Sequence, residues 1–132
     1  MALLIDTSVL VELERAQARG LPSELDDEGV YLSAISASEL LHGVQRATTA
    51  ARRARREAFV ERILDMVPVL PLDLDVARVH SRIWVELIRS GAMIGAHDLI
   101  IAATAIRHDL AVLTRNQREF SRVEGLALRS LE

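Results

Sequence analysis

The chain has 132 residues and no cysteine, which excludes disulfides, thiolate metal sites and cysteine nucleophiles. Half of its residues are hydrophobic, enough for one core, so we expect a single domain over residues 1–132. The net charge of −3 argues against a general nucleic-acid coat. We also expect a cytoplasmic protein, because the sequence contains no basic, cleavable leader and no apolar run of the roughly 20 residues that a membrane span needs.

Short apolar runs alternate with amphipathic stretches along the chain. In chain order we predict strand 2–5, helix 8–19 ending at Gly20, strand 30–33, helices 36–47 and 48–66, strand 67–70, helix 73–89, loop 90–96, helix 97–108, strand 111–114 and a last strand within 125–131. Strands separated by helices indicate βαβ units, so the expected fold is α/β with a mainly parallel sheet covered on both faces. Ligands of such sheets bind beyond the carboxyl ends of the strands.

Four acidic residues fall where this topology would bring them to that edge. Asp6 closes the first strand, Glu39 and Asp98 lie in predicted first helical turns, and Glu119 follows the strand at 111–114. Like charges in one cleft raise one another's pKa unless a cation neutralises them, and oxygen-only sites suit Mg²⁺ or Mn²⁺. The pattern predicts a metal-dependent enzyme that acts on phosphate esters and uses these four acids.

Each acid also has a purely structural interpretation. Asp6 fits the N-cap of the following helix. Ser36 and Glu39 have the spacing of a capping box. Asp98 would be favoured at a helix N-terminus by the helix dipole, and Glu119 fits an ordinary surface glutamate.

Polar and basic residues near the acids are candidates for supporting roles. The predicted supporting residues are Thr7, Ser8, Thr114 and Asn116, the last two as hydrogen-bond partners that orient the acids. The candidate phosphate contacts are Arg46, Arg115 and Arg118. The arginine-rich stretch at 52–56 is interpreted first as a solvated helix face, with Arg53 paired to Glu57, and second as a surface for a polyanion or an acidic partner.

Four motifs in series resemble the PIN-domain family, most closely the VapC-type toxins of bacterial toxin–antitoxin pairs. They are DTSVL from Asp6, SEL from Ser38 with Gly43 after it, GAHDLIIAA from Gly95, and TRN from Thr114. The resemblance implies a Rossmann-like three-layer α/β/α sandwich and a Mg²⁺- or Mn²⁺-dependent endoribonuclease that leaves a 5′-phosphate. Its RNA targets would be of the tRNA or ribosomal RNA class, and it would inhibit translation and growth.

The resemblance also carries residue roles and partners. Asp6, Glu39 and Asp98 take the family's acidic metal-binding positions, and Glu119 falls where many members carry an aspartate. The implied partners are a cognate antitoxin that neutralises the toxin, the RNA substrate and a second copy of the chain in a homodimer.

Three other functions fit parts of this pattern. A phosphatase of the haloacid dehalogenase type needs a second aspartate two residues after its nucleophile, and Ser8 occupies that position. A structure-specific DNA nuclease would share the acid cluster. A non-catalytic interaction module would use the acids only as helix caps, and it would cleave nothing with any divalent ion.

Overall fold

A five-stranded sheet lies at the centre of the computed structural model, which describes residues 1–131 of the chain. Its strands, in chain order, are β1 (Leu3–Ile5), β2 (Val30–Ser33), β3 (Val69–Leu70), β4 (Ala111–Leu113) and β5 (Leu128–Arg129). They are arranged as β3-β2-β1-β4-β5, and every neighbouring pair is parallel. In β1, Leu3 stands opposite Val30 on one side and Ala111 on the other.

Helices cover both faces of this sheet. They are α1 (Thr7–Arg15), α2 (Ala34–Gln45), α3 (Ala50–Met66), α4 (Leu74–Ser90), α5 (Ala96–His108) and α6 (Gln117–Phe120), with a short 3-10 helix at Ser23–Leu25. Within residues 1–131, none of these helices has both the length and the apolar character to cross a bilayer.

The side chains of β1 alternate between two hydrophobic cores, as expected for a strand buried on both faces. Leu3 and Ile5 pack into a core with residues of α1, α2 and α3, such as Phe59. Leu4 packs into a second core with residues of α4 and α5, such as Val76. The predicted three-layer α/β/α sandwich with a parallel sheet is therefore confirmed.

Helix α1 ends earlier than predicted, at Arg15 rather than at residue 19. Gln17 adopts a left-handed conformation with φ 59°, its N–H donates to the carbonyl of Glu14, and the N–H of Ala18 donates to that of Leu13. This pattern is a Schellman motif, which usually carries glycine at the left-handed position. A glutamine takes that place here, so the prediction based on Gly20 was wrong.

Helix α2 begins at Ala34, two residues before its predicted start, because β2 runs into it without a loop. Ser33 is the N-cap, and its hydroxyl accepts a hydrogen bond from the Ile35 N–H. Ser36 is therefore inside the helix and fully buried, and the predicted capping box with Glu39 does not form. Glu39 lies in the second helical turn rather than the first, so that part of the prediction was also wrong.

Other predicted boundaries of the helices and strands match the structure or differ from it by one or two residues. Thr49 caps α3 by accepting from the Arg52 N–H, and Asp73 caps α4 by accepting from the Val76 N–H. Strand β3 starts only at Val69, because Val67 still donates to the carbonyl of Ile63 at the end of α3. The 3-10 helix at Ser23–Leu25 was not predicted.

Candidate active site

Asp6 follows β1 directly and is only 5% exposed. It holds the N-cap position of α1, yet its side chain makes no capping hydrogen bond. Its Oδ2 instead accepts hydrogen bonds from the hydroxyls of Ser8 and Thr114, each at 2.7 Å. Within residues 1–131 its Oδ1 has no hydrogen-bond partner, so Asp6 presents an oriented carboxylate with one oxygen left for a ligand.

Thr114 connects this carboxylate to the loop after β4. It is fully buried, and its Oγ1 accepts from the backbone N–H of Asn116 at 2.8 Å while donating to Asp6. Ser8 is hydrogen-bonded in the same way, because its Oγ donates to Asp6 and accepts from the Arg115 N–H at 3.2 Å. A hydroxyl has a single hydrogen, so accepting from the backbone directs that hydrogen to the carboxylate.

Glu39 reaches the same edge from α2. Its Oε1 accepts a hydrogen bond from the Thr7 hydroxyl at 3.1 Å. Its Oε2 lies 3.6 Å from Nδ1 of His97, at the start of α5. Thr7 and His97 thus hold Glu39 from two elements, and a helix-capping role does not account for its position.

Glu119 is fixed by two hydrogen bonds at the start of α6. Its Oε1 accepts from the Gly95 N–H at 2.6 Å, and its Oε2 accepts from the side-chain amide of Asn116 at 2.8 Å. The bond from the Gly95 N–H, followed by that from Asn116, lowers the pKa of Glu119. Glu119 is therefore an ionised acceptor that ties α6 to the start of α5, not a free surface glutamate.

Asp98 lies in the first turn of α5. Burial, followed by the charges of Asp6, Glu119 and Glu39, raises the pKa of Asp98 to about 6. A methyl group built on Gly95 would stand 3.6 Å from both Asp98 Oδ2 and Glu119 Oε1. The other three predicted acids are thus brought within electrostatic reach of Asp98, from separate parts of the chain.

The chemistry of this cluster suits a divalent cation, although its side chains are not yet arranged around one. As placed, no three of the acidic or histidine side chains among residues 1–131 could hold a metal ion. Hydrogen bonds hold Glu39 towards Thr7 and Glu119 towards Gly95. The donors are all oxygens, and burial followed by the charges of the neighbouring carboxylates raises the pKa of Asp98, a cost that a bound cation would offset. The donor chemistry of these residues, though not their present spacing, therefore suits Mg²⁺ or Mn²⁺.

The arginines predicted to contact phosphate differ in their surroundings. Arg115 pairs through its Nε with Glu12 at 2.9 Å, and Arg118 is exposed on α6. Arg46 borders a cavity that also touches Glu39. The predicted pair of Arg53 with Glu57 does not form, because the guanidinium of Arg53 donates to the carbonyl of Ala47. The interpretation of the whole stretch at 52–56 as one solvated face was thus too simple.

The side chain of His97 and the backbone N–H of Gly95 contact the acidic cluster but had no predicted role. His97 was not assigned one, although its position next to Asp98 in the first turn of α5 was a usable signal. The N–H of Gly95 binds Glu119, a contact between residues 24 positions apart that no local pattern reveals.

Comparison with known proteins places the chain in a family. A model of the PIN domain matches residues 3–126. Ribonuclease VapC1 of Rickettsia felis is 36% identical over 127 residues, covering 96% of this chain and 93% of the relative. The chain therefore belongs to the PIN-domain family, and within it to the VapC-type proteins.

Solved structures agree with this assignment. VapBC-5 of Mycobacterium tuberculosis, from the VapBC family of toxin–antitoxin systems, has a TM-score of 0.77 at 32% identity, covering 100% of this chain and 99% of that chain. VapBC2 of Rickettsia felis, bound to a DNA fragment from its promoter, has a TM-score of 0.87 at 21% identity and covers 100% of both chains. At that identity the second likeness supports the fold alone.

Proposed function

We propose that this protein is a cytoplasmic, metal-dependent endoribonuclease of the VapC type, which cleaves RNA of the tRNA or ribosomal class and so inhibits translation and growth. The observation that carries the proposal is the cluster of Asp6, Glu39, Asp98 and Glu119 at the carboxyl edge of the sheet, where the pKa of Asp98 is raised to about 6. The ribonuclease name of the Rickettsia felis relative supports RNA as the substrate class.

Asp6, Asp98 and Glu39 would hold Mg²⁺ or Mn²⁺. When bound, such an ion lowers the pKa of a water and stabilises the charge that develops on a phosphate. Ser8 and Thr114 hold Asp6 in place, and Thr7 orients Glu39.

Glu119 has a different part in the proposal. Its two hydrogen bonds keep it ionised next to Asp98, so it adds negative charge that only a cation or a proton can offset. It would therefore strengthen cation binding, and a second ion beside Glu119 remains an extension of the same proposal.

The first experiment is cleavage of total cellular RNA by the purified, antitoxin-free chain with Mg²⁺, with Mn²⁺ and with EDTA. Asp6→Asn and Asp98→Asn should abolish cleavage. Asp65→Asn is the matched control, because Asp65 is an exposed carboxylate on α3 outside the cluster. Single-stranded and branched DNA substrates in parallel test the DNA nuclease alternative.

Each result separates the candidate functions. Metal-dependent RNA cleavage that Asp65→Asn keeps and Asp6→Asn loses supports the proposal. Cleavage of DNA alone would favour the DNA nuclease. Absence of cleavage with both ions, on both nucleic acids, would favour a non-catalytic interaction module.

The proposal includes two protein partners. One is a cognate antitoxin, supported by the toxin–antitoxin complex of the structural relative at 32% identity. The other is a second copy of this chain, supported by the exposed apolar side chains of Trp84, Val85 and Ile88 on α4. Sedimentation equilibrium tests the homodimer, and a monomer at micromolar concentration would contradict it.

A further inference from the structure

A cavity of about 450 Å³ opens between α1, α2 and α3, next to the acidic cluster. We name it the arginine groove, and define it by Arg15, Arg46, Arg52 and Arg56, with Thr7 and Glu39 at one end. Because Thr7 also donates to Glu39, the groove and the acidic cluster share a boundary. Anything bound in the groove would therefore lie beside the proposed site of cleavage.

Three of the four arginines lack a partner for their guanidinium groups. Within the described chain, no hydrogen bond or ion pair engages the side chains of Arg15, Arg46 and Arg52, and all three are exposed. Arg56 is different, because it donates to the Gly43 carbonyl at 3.0 Å and lies 3.5 Å from Glu14. Arg56 thus helps to fix the wall of the groove, while the other three remain available to an anion.

Repulsion within the groove supports the same conclusion. Arg52 and Arg56 are one helical turn apart on α3, a spacing at which like charges destabilise an isolated helix. Both face the groove instead of being spread over the helix surface. Four arginines against two glutamates, Glu14 and Glu39, line the groove, so positive charge is in excess, which suits a bound polyanion.

The arginines between β4 and β5 offer fewer free cations. Arg115 pairs with Glu12, and Arg122 donates to the carbonyl of Met93. In residues 1–131, Arg118 alone of these three has a side chain with no hydrogen bond or ion pair. A strand of phosphates leaving the acidic cluster therefore meets more available positive charge in the groove than beside this part of the chain.

Apolar side chains line the groove beside the arginines. Leu10, Leu40 and Val60 are among them, and all three are buried. Gly43 also lines the groove, and a Cβ built on it would meet nothing within 4 Å. The groove therefore has open space beside its basic side chains, as a strand that carries phosphates needs.

We propose that the arginine groove binds the stretch of RNA adjoining the phosphodiester that is cut, with Arg46 and Arg52 as its phosphate contacts. This inference rests on the proposed ribonuclease function and adds the path of the substrate to it. Arg56 acts as a positioning residue that holds the wall of the groove, and Gly43 leaves room for the strand.

The test measures binding of a short, 5′-fluorescein-labelled single-stranded RNA of randomised sequence by anisotropy, over a series of KCl concentrations. All proteins carry Asp98→Asn, so that the RNA is not cut. Arg46→Gln with Arg52→Gln is compared with Arg55→Gln and Arg78→Gln, which removes the same charge from exposed sites outside the groove. Cleavage of total cellular RNA is measured with the same substitutions made in the wild-type chain.

We expect the groove variant to bind RNA about tenfold more weakly at low salt. Each lost contact to single-stranded RNA should reduce the slope of log K against log salt by about 0.7, hence by about 1.4 for two. Arg46→Lys with Arg52→Lys should keep the slope, because lysine keeps the charge. Gly43→Leu should weaken binding with every charge retained, since its side chain would fill the groove.

Three results would overturn the inference. If the wild-type chain cleaves RNA and the groove variants match the control, the groove is not the path, although the ribonuclease function stands. If the variants bind RNA normally but lose the cognate antitoxin, the groove belongs to that protein partner. If the wild-type chain neither binds nor cleaves RNA, the proposed function fails together with the inference.

Discussion

Asp98 is the acid of the cluster whose pKa is raised by its surroundings. Its pKa is raised from 3.8 to about 6 by burial and by three neighbouring carboxylates, so the folded chain holds a proton that the unfolded chain has already released. The metal-free protein should therefore lose stability as pH rises from about 4 to about 6, the reverse of the usual behaviour of paired carboxylates.

Asp98→Asn should remove this loss of stability. We expect the variant to unfold at nearly the same urea concentration across that pH window, and to be more stable than the wild-type chain near neutral pH. Urea unfolding in EDTA at a series of pH values measures the difference. If Asp98→Asn is instead less stable at every pH, the carboxylate contributes mainly through the helix dipole of α5.

Thr114 should contribute both to stability and to activity through its hydrogen bond to Asp6. Thr114→Val keeps the shape of the side chain but removes the donor to Asp6 Oδ2 and the acceptor of the Asn116 N–H. We expect a loss of about 1–3 kcal/mol in the free energy of unfolding, because a buried carboxylate and a backbone N–H lose partners. RNA cleavage should fall at least tenfold, since Asp6 is no longer oriented.

Thr104→Val is the control for that substitution. Thr104 is equally buried, but its hydroxyl donates within α5 to the Ile100 carbonyl at 2.8 Å. Cleavage should survive in Thr104→Val, and Thr114→Ser should restore what Thr114→Val loses. Equal cleavage by the two valine variants would show that Thr114 does not position Asp6.

Substitution by alanine should change the stability of the fold in opposite directions at two helical glycines. Gly43 lies inside α2 with open space around it, so Gly43→Ala should stabilise the fold by about 0.5–1 kcal/mol. Gly91 ends α4 with φ 67°, so Gly91→Ala should destabilise it by about 1–2 kcal/mol. Thermal unfolding of both variants checks the opposite signs, and a loss of stability in Gly43→Ala would contradict the account of α2.

The pattern of elements was predictable from sequence because it depends on local hydrophobic periodicity. Alternating strands and helices indicated the parallel sheet, and the four acids were placed at its carboxyl edge. Helix ends were less predictable where unusual residues took the capping positions, as with Gln17 after α1 and Ser33 before α2. The predicted start of α2 at residue 36 made Ser36 a plausible N-cap, and so favoured a capping box with Glu39. The actual start at Ala34 excludes it.

At the scale of the whole molecule, the contacts that define the site join distant parts of the chain. The hydrogen bond from Thr114 to Asp6 spans 108 positions, and that from Thr7 to Glu39 spans 32. Periodicity does not reveal which donor meets which acceptor. For the same reason, the division of the arginines at 52–56 between groove and surface depended on how α3 packs against α1 and α2.

Binding of a divalent ion should stabilise the whole domain. At a concentration about 100 times the dissociation constant, a ligand adds roughly 2.7 kcal/mol to the free energy of unfolding. For a chain of this size the expected rise in melting temperature is roughly 5–20 °C. Calorimetry with and without Mg²⁺ at neutral pH measures it independently of activity.

The variants used for cleavage also serve as controls for this measurement. Asp6→Asn and Asp98→Asn should lose most of the rise, whereas Asp65→Asn should keep it. An equal rise in all of these proteins would place the ion elsewhere and would remove the main support for metal binding at the acidic cluster.

The order of the strands also has a consequence for the timing of synthesis. The central strand β1 cannot pair on both sides until β4 has been synthesised. The acidic cluster also needs Asp98, Thr114 and Glu119, which belong to the later part of the chain. Translation proceeds at about 5–20 residues per second, and pairing of distant parallel strands is slow. A growing chain therefore carries no complete site while most of it is being made. The fold therefore delays any nuclease activity until the last part of the chain has been made, and the time of synthesis is available for a partner to bind.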